Sequence, residues 1–412
     1  MAVPPTLACV SGRRVLTVAA GMGIRTVLLD EQIPVETAFM ADVPVEVDLD
    51  DWQTAEAALR HAASRHRVDA VLSVRDSRVP LAGYLASRLG VGGLALHAAL
   101  NCHDKARMRS ALQGAGLPGP RYAVAQEPRE ALRLGEHVGF PLVLKRTRGA
   151  GGTGVRLCHD ANELNSAVTA LSDAEMPVEL LAEQYLAGPE YAVQTVTTGT
   201  GTEILSVLAE HIGPPPRFAE IGYDHPCGLG PDRRGMLCDH VVAALGALGV
   251  DCGVAHVQVR LTGDGPRIIE VNPRPPGGLL AHVTEIVSGV DMVQAAIEAA
   301  LDRPISRREP AADYIRYRCV VFDRTGFVDF DEAVLAEFED IDDLAVGPVL
   351  ALDVDRGDLV LPVEHPDGGA YGRLVVAGGH PAEVDRRYRD ILDRLRLRID
   401  DNPLPAPSNP EW

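Results

Sequence analysis

The chain of 412 residues is 46% hydrophobic, 4% aromatic and 24% charged, which reads as a soluble globular protein too long for one ordinary core. Its 39 basic and 58 acidic residues give a formal net charge of −19, which excludes nucleic acid and anionic lipid as natural partners. No apolar run approaches the ~20 residues of a membrane span, and Arg13 and Arg14 interrupt any leader-like stretch. The seven cysteines are scattered without a Cys-x-x-Cys pair, so a reducing cytoplasm is the expected location.

Residues 1–97 alternate short apolar runs with helical patterns. Thr6–Val10, Thr26–Asp30 and Ala70–Val74 predict strands, and Trp52–Arg67 and Pro80–Leu89 predict helices, the pattern of an α/β domain with a parallel sheet. A helix over 102–116 ends at Gly114 and Gly116, ahead of Pro118, and another covers Pro128–Val138. Pro141–Lys145 and Val155–Cys158 predict strands on either side of the glycine-rich Arg146–Gly154. Asp160 and Glu163 predict a capping box for the next helix. Tyr191–Thr197 and Glu203–Glu210 predict paired strands, and Pro214-Pro215-Pro216 then marks a loop. Arg234–Leu248 predicts a helix. Gly253–Leu261 and Pro266–Asn272 predict two strands joined by a turn at Thr262–Gly265. Residues 311–400 hold short strands and a charged helix near Pro381–Leu397, before a Pro-rich tail expected to be mobile.

Gly149-Ala150-Gly151-Gly152-Thr153-Gly154 has the form G-x-G-x-x-G. It runs into a strand rather than a helix, against a dinucleotide site, and Val155 stands where a Walker A loop needs lysine. What remains is a flexible glycine loop between strands, with Lys145 just ahead of it. Such a loop is either a cradle of N–H groups for phosphate or a plain surface hairpin.

Glu270 and Asn272 stand two apart in a strand and share a face. Glu270 lies between Ile269 and Val271, where a solvated acid is out of place, and carboxylate and amide oxygens are hard ligands for Mg²⁺. A hairpin symmetric about Asp264 sets Gln258 opposite Glu270 and His256 opposite Asn272, one polar cluster on one sheet face. Arg274 follows in the same period, and Pro275-Pro276-Gly277-Gly278 is a stiff turn ending in exposed backbone donors. An arginine here suits a substrate carboxylate. The plain alternative is a sheet face with a satisfied salt bridge.

These pieces, in this order, resemble the ATP-grasp superfamily, specifically its carboxylate–amine ligases of the L-amino acid ligase type. The likeness runs over nearly the whole chain. It implies an ATP-grasp fold, α/β with α+β parts. The implied domains are an N-terminal parallel-sheet α/β domain at 1–97 and a small or lid subdomain at 98–186. A large subdomain with the metal core at 187–310, a small C-terminal α+β domain at 311–400 and a flexible tail at 401–412 follow. The implied cofactors are ATP and Mg²⁺, with Mn²⁺ as an alternative ion. Lys105, opening a helix after Asp104, resembles the first nucleotide-binding lysine and Lys145 the second. Gly149, Gly151, Gly152, Thr153 and Gly154 resemble the loop over the phosphates. Glu183, Gln184, Tyr185 and Leu186 resemble the hinge that holds adenine, and Glu190 the ribose ligand.

The resemblance further makes Glu270 and Asn272 metal ligands, with Gln258 at a position where the family usually has glutamate. It makes Arg274, Lys145, Gly277 and Gly278 catalytic, and Glu220, His225, His256 and Arg274 substrate contacts. The implied reaction forms an amide or dipeptide through an acyl phosphate, releasing ADP and phosphate. The implied partners are small carboxylates and amines, amino acids among them, with no nucleic acid and no membrane; dimers are common in the family. Two other readings stay open. One is a ligase of purine or cofactor synthesis, whose multi-acid substrate calls for more basic residues than the Arg217 that loop 214–226 supplies. The other is a nucleotide-binding protein with impaired catalysis, suggested by the charge missing at Gln258.

Overall fold

The computed structural model describes residues 4–126, 128–149, 154–172, 179–215, 218–338, 348–365 and 367–402. Gly151, Gly152, Thr153 and Arg217 lie outside the described residues, as does the tail from 403 onward. The chain divides into two units: Met1–Ala150, Cys158–Val207 and Leu229–Pro310 form the first, and Gly151–Leu157, Leu208–Gly228 and Ala311–Trp412 the second. No helix among the described residues is long and apolar enough to cross a membrane.

The first unit begins with a parallel four-stranded sheet in the order Val43–Glu46, Arg25–Asp30, Thr6–Val10, Ala70–Leu72. The strand expected to reach Val74 stops at Leu72, because the Ser73 hydroxyl turns back to donate to the Val10 carbonyl at 2.7 Å. The helix expected over Trp52–Arg67 ends at Ala63. Asp51 caps its start by accepting from the Gln53 and Thr54 amides. Its buried stripe of Ala55, Leu59 and Ala62 ends there, and Ser64-Arg65-His66-Arg67 offer nothing further to bury. Helix Met292–Ala300 packs Val293, Ile297 and Ala300 against Leu7, Cys9 and Ala70 of this sheet.

The helix expected over 102–116 is two helices, Leu96–His103 and Lys105–Gly114. Asp104 between them is extended, at φ −108° and ψ 113°, and its carboxylate accepts from the amides of Ala106 and Arg107. The second helix therefore starts at Lys105, and Cys102 is a packed residue of the first. The helix expected over Pro128–Val138 is likewise two short pieces, Pro128–Ala131 and Leu134–Val138. Gly135 is a poor helix former, and a Cβ there would stand 2.8 Å from the Phe140 ring. Nearby, Leu180–Gln184 runs antiparallel to both Tyr122–Ala125 and Leu142–Arg146. At the next helix, Asp160 accepts from the Asn162 and Glu163 amides, while the Glu163 carboxylate accepts from His159. That is the expected capping box reaching one residue further back.

An antiparallel sheet completes this unit, in the order Gly265–Asn272, Gly253–Thr262, Glu190–Thr198, then the first part of Gly201–Ile212. Helix Pro231–Leu248 starts three residues earlier than expected, since proline suits the first helical turn. It ends at Gly249, which is left-handed.

In the second unit, Glu220–His225 pairs with the end of Gly201–Ile212 and with Tyr314–Cys319, followed outward by Gly372–Gly378 and Val349–Leu352. A smaller sheet joins Leu359–Val360, Gly326–Asp329 and Arg398–Asp400. Helix Pro381–Leu395 buries Val384, Ile391 and Leu395 in the core of this unit.

Candidate active site

The hairpin Gly253–Asn272 carries the centre of the site, and its register is set by a bulge. From the turn outward, Thr262 pairs with Gly265, Arg260 with Arg267 and Val259 with Ile268. The register then shifts, so that Gln258 faces Glu270, Val257 faces Val271 and His256 faces Asn272. Ile269 is the extra residue. Were Ile269 kept in the ladder with no shift, Glu270 would oppose Val257 and Asn272 would oppose Ala255, both on the core face, because a slip of one residue exchanges the faces of a strand. The expected pairing of Gln258 with Glu270 and His256 with Asn272 holds. The assumed symmetry about Asp264 does not, because the turn is centred between Gly263 and Asp264 and the bulge makes up the difference.

Helix Lys105–Gly114 meets this hairpin. Lys105 and Arg109 are four apart and share a helix face. The Lys105 Nζ lies 3.3 Å from a Glu270 oxygen and donates to the Gly149 carbonyl at 2.8 Å. Arg109, 2% exposed, donates from Nε and Nη2 to the two oxygens of Glu183, at 2.6 and 3.2 Å. Its Nη2 also donates to the Ile269 carbonyl at 2.9 Å, at the bulge. The Lys145 Nζ stands 2.7 Å from the second oxygen of Glu183. Sequence reasoning missed Arg109. Its only signal was the four-residue spacing from Lys105 on an otherwise polar helix.

Charge follows this geometry. Burial pushes the Glu183 carboxyl up, yet Arg109 and Lys145 hold it down at about 2. Burial pulls Lys145 below the usual lysine range, with Glu183 opposing and Arg109 and Lys105 adding to the fall. Glu270 is lowered as well: burial raises it, but the charges of Lys105 and Lys145 and a bond from Asn272 outweigh that. Three cations thus surround two carboxylates, a local positive excess inside a chain of net charge −19.

Residues 102–278 match the family model for the ATP-grasp domain. That match spans less than half of the chain. The chain's fold is similar to that of the L-amino acid ligase of Bacillus licheniformis, with a TM-score of 0.78 over 98% of this chain and 100% of that one. At 24% identity this likeness speaks for the fold alone. Carnosine synthase 1 of Gallus gallus is 31% identical over 276 residues, covering 62% of this chain and 30% of that protein. The uncharacterized protein y4rH of Sinorhizobium fredii is 29% identical over 268 residues, covering 64% of this chain and 55% of its own length. The chain therefore spans only about half, or less, of these curated relatives.

Segment 184–186 is held by its neighbours and by the hairpin. The Tyr185 amide donates to the Pro141 carbonyl at 3.1 Å and the Gln184 amide to Arg121 at 2.8 Å. Arg260, also missed by sequence reasoning, donates to the Leu186 carbonyl at 3.2 Å and pairs with Glu190. Gly188 between them has φ 137°, and a Cβ there would stand 2.3 Å from the Leu261 carbonyl oxygen, so only glycine fits. Gly149 has φ 141° and Gly154 has φ 77°, both in the region that favours glycine.

His256 is buried, with Nδ1 2.9 Å from the Gln194 amide nitrogen, a partner that sequence reasoning did not find. Burial and the Arg274 charge lower its pKa to about 4, against the pull of Glu270, so the ring is neutral at pH 7. Arg274 bonds through Nε to Asp76 at 3.2 Å and through Nη1 to the Pro275 carbonyl at 2.9 Å. The salt bridge weighed as the plain alternative exists, with a partner 198 residues away. Its Nη2 bonds no protein group among the described residues. Gly277 and Gly278 are exposed, and they lead into helix Leu280–Ser288, whose start has no side-chain cap.

The remaining two expected residues lie in the second unit. Glu220 accepts from the Tyr223 hydroxyl at 2.8 Å, and that hydroxyl is also 3.2 Å from Glu210. His225 ends the same strand.

Two observations test whether these residues suit a magnesium nucleotide. Arg109 Nη1 is buried without a hydrogen-bond partner among the described residues, a donor left over beside an excess of positive charge. Glu270, Asn272 and Gln258 offer hard oxygen atoms with one formal charge between them. No cluster of three His, Cys or carboxylate groups forms here among the described residues. A set this poor in charge suits Mg²⁺ shared with phosphate oxygens rather than caged by protein alone. The residues fit.

Proposed function

We propose that this chain is an ATP-dependent carboxylate–amine ligase that forms an amide or peptide bond between amino acids, or between an amino acid and a small amine or acid. The observation that carries this reading is the convergence of Lys105 and Lys145 with Glu270 and Asn272 on one polar face. Magnesium-bound ATP supplies the γ-phosphoryl group that converts a carboxylate, whose own leaving group would be oxide, into an acyl phosphate that an amine attacks.

The chain's own residues act by position and charge. Lys105 and Lys145 neutralise phosphate oxygens. Glu270 and Asn272 offer oxygens to the metal, and Gln258 adds a neutral one. Arg274, pinned by Asp76 and the Pro275 carbonyl, presents Nη2 to the reacting carboxylate. The backbone donors of Gly277 and Gly278, ahead of a helix N-terminus, favour negative charge beside it. Neutral His256 is suited to a hydrogen bond with substrate rather than to charge pairing. The backbone of Gln184, Tyr185 and Leu186, with Glu183 at the head of that segment, takes adenine, and Glu190 the ribose. The phosphate-loop role that the resemblance gives Gly149, Gly151, Gly152, Thr153 and Gly154 belongs to the proposal, with Gly151, Gly152 and Thr153 outside the described residues. A role for Glu220 and His225 in binding the amine substrate belongs to the same proposal, as the family resemblance implies it. Mn²⁺ in place of Mg²⁺, a homodimer and a cytoplasmic location belong to the same proposal.

Specialised metabolism is favoured over purine synthesis because loop 214–226 supplies only Arg217 for a multi-acid substrate. The test is ADP release from purified protein with ATP, Mg²⁺ and pairs of amino acids, followed by mass measurement of products. Coupled product at the summed mass less one water is expected. Neither ADP nor product from any pair would sink the proposal.

A further inference from the structure

We propose that Arg109 is a positioning residue that sets two parts of the site together: the phosphate lysine Lys145, through Glu183, and the metal ligand Glu270, through the bulge at Ile269. This rests on the nucleotide and metal roles assigned above. The argument begins at the bulge. The extra residue of a bulge drops out of the ladder, and its carbonyl needs a partner from elsewhere. Here that partner is Arg109, whose Nη2 donates to the Ile269 carbonyl at 2.9 Å. The bulge is what turns Glu270 and Asn272 toward Gln258 and His256. A group that holds the bulge therefore holds the metal ligands on the correct face.

The other edge of the guanidinium grips Glu183, which in turn holds the Lys145 ammonium at 2.7 Å. One planar fork thus spans a carboxylate and a carbonyl from two separate strands. Only arginine has that geometry; a lysine in its place keeps the charge but offers one compact ammonium. The helix reinforces the arrangement. Asp104 caps its start, and Lys105 and Arg109, one turn apart, reach Glu270 and its neighbour Ile269. A single helical turn thus contacts both residues at the bulge.

The test uses the full chain and measures binding of ATP by calorimetry, once with Mg²⁺ and once with EDTA. The variants are Arg109→Lys and Arg109→Met. Outer groups that orient metal ligands typically alter affinity on the order of 10–100-fold. Arg109→Lys is expected to weaken ATP binding in EDTA about tenfold and to lose a further tenfold of the gain that Mg²⁺ gives the wild type. If Arg109→Met fails to fold, Arg109→Lys decides alone. A loss in EDTA with an intact Mg²⁺ gain overturns the role at the bulge. Wild-type binding under both conditions by Arg109→Lys overturns the proposal entirely. If the wild type itself binds no ATP, the functional reading fails first, and that outcome is distinct from the other two.

Discussion

Replacing Glu183 by glutamine tests the buried ionic core of the site. Glu183 is 5% exposed and is held at about 2 rather than the ordinary 4.5, because Arg109 and Lys145 outweigh the effect of burial. A folded-state pKa below the unfolded one stabilises the protein in full above pH 4.5, and that stabilisation is lost as pH falls toward 2. The size of the difference corresponds to about 3 kcal/mol at neutral pH. Breaking a buried ionic network from one side costs a similar amount, about 3–5 kcal/mol, because Arg109 and Lys145 are left uncompensated. Urea unfolding of wild type and Glu183→Gln across pH 7 to 2.5, followed by circular dichroism, should show a gap of about 3 kcal/mol at pH 7 that shrinks steadily below pH 4.5. A gap that stays constant with pH, or one below about 1 kcal/mol at pH 7, would refute the claim that this carboxylate is ionised and held by two cations.

Three other outcomes follow from the same geometry. Lys145→Met should lower kcat/KM for ATP by at least about 10²-fold in an ADP-release assay, and activity near wild type would remove this lysine from the phosphate site. Gln258→Glu restores a full negative charge opposite Glu270; the Mg²⁺ concentration for half-maximal turnover should fall several-fold if the site is short of charge, whereas no change means that the glutamine already serves as a ligand. Gly188→Ala combines φ 137° with a Cβ 2.3 Å from the Leu261 carbonyl oxygen, so unfolding free energy should drop by about 2 kcal/mol or more, and an unchanged urea midpoint contradicts the tight approach.

The polar face of the hairpin was legible because strand alternation is a local rule. Gln258, Glu270, His256 and Asn272 meet as the sequence pattern predicts. The bulge was legible too, in principle: Ile268 and Ile269 are two apolar residues in succession within an otherwise alternating strand. Symmetry about Asp264 reached the right pairs only because it absorbed that extra residue into the turn. The helix break at Asp104 had a signal in the Asp-Lys start, yet helical periodicity on both sides hid it. Other partners carried no local signal at all. Arg274 bonds Asp76 across 198 residues, and Arg109 bonds Ile269 across 160. Such pairs depend on how strands and helices assemble, and an arginine on a polar helix looks like a solvated one until burial is known. Gln194 belongs to the same class, an amide inside a strand that is buried from Glu190 to Thr197.

The extra residue at Ile269 also bears on how such a strand tolerates changes in length. The two-residue turn at Gly263 and Asp264 lies on one side of it, and Glu270 and Asn272 on the other. A single-residue deletion at Ile269 would keep Glu270 opposite Gln258 in an unbroken ladder, but would remove the carbonyl that Arg109 bonds. The extra residue therefore matters for the bond that ties this strand to helix Lys105–Gly114, while the bulge keeps Glu270 and Asn272 in step with Gln258 and His256 despite it.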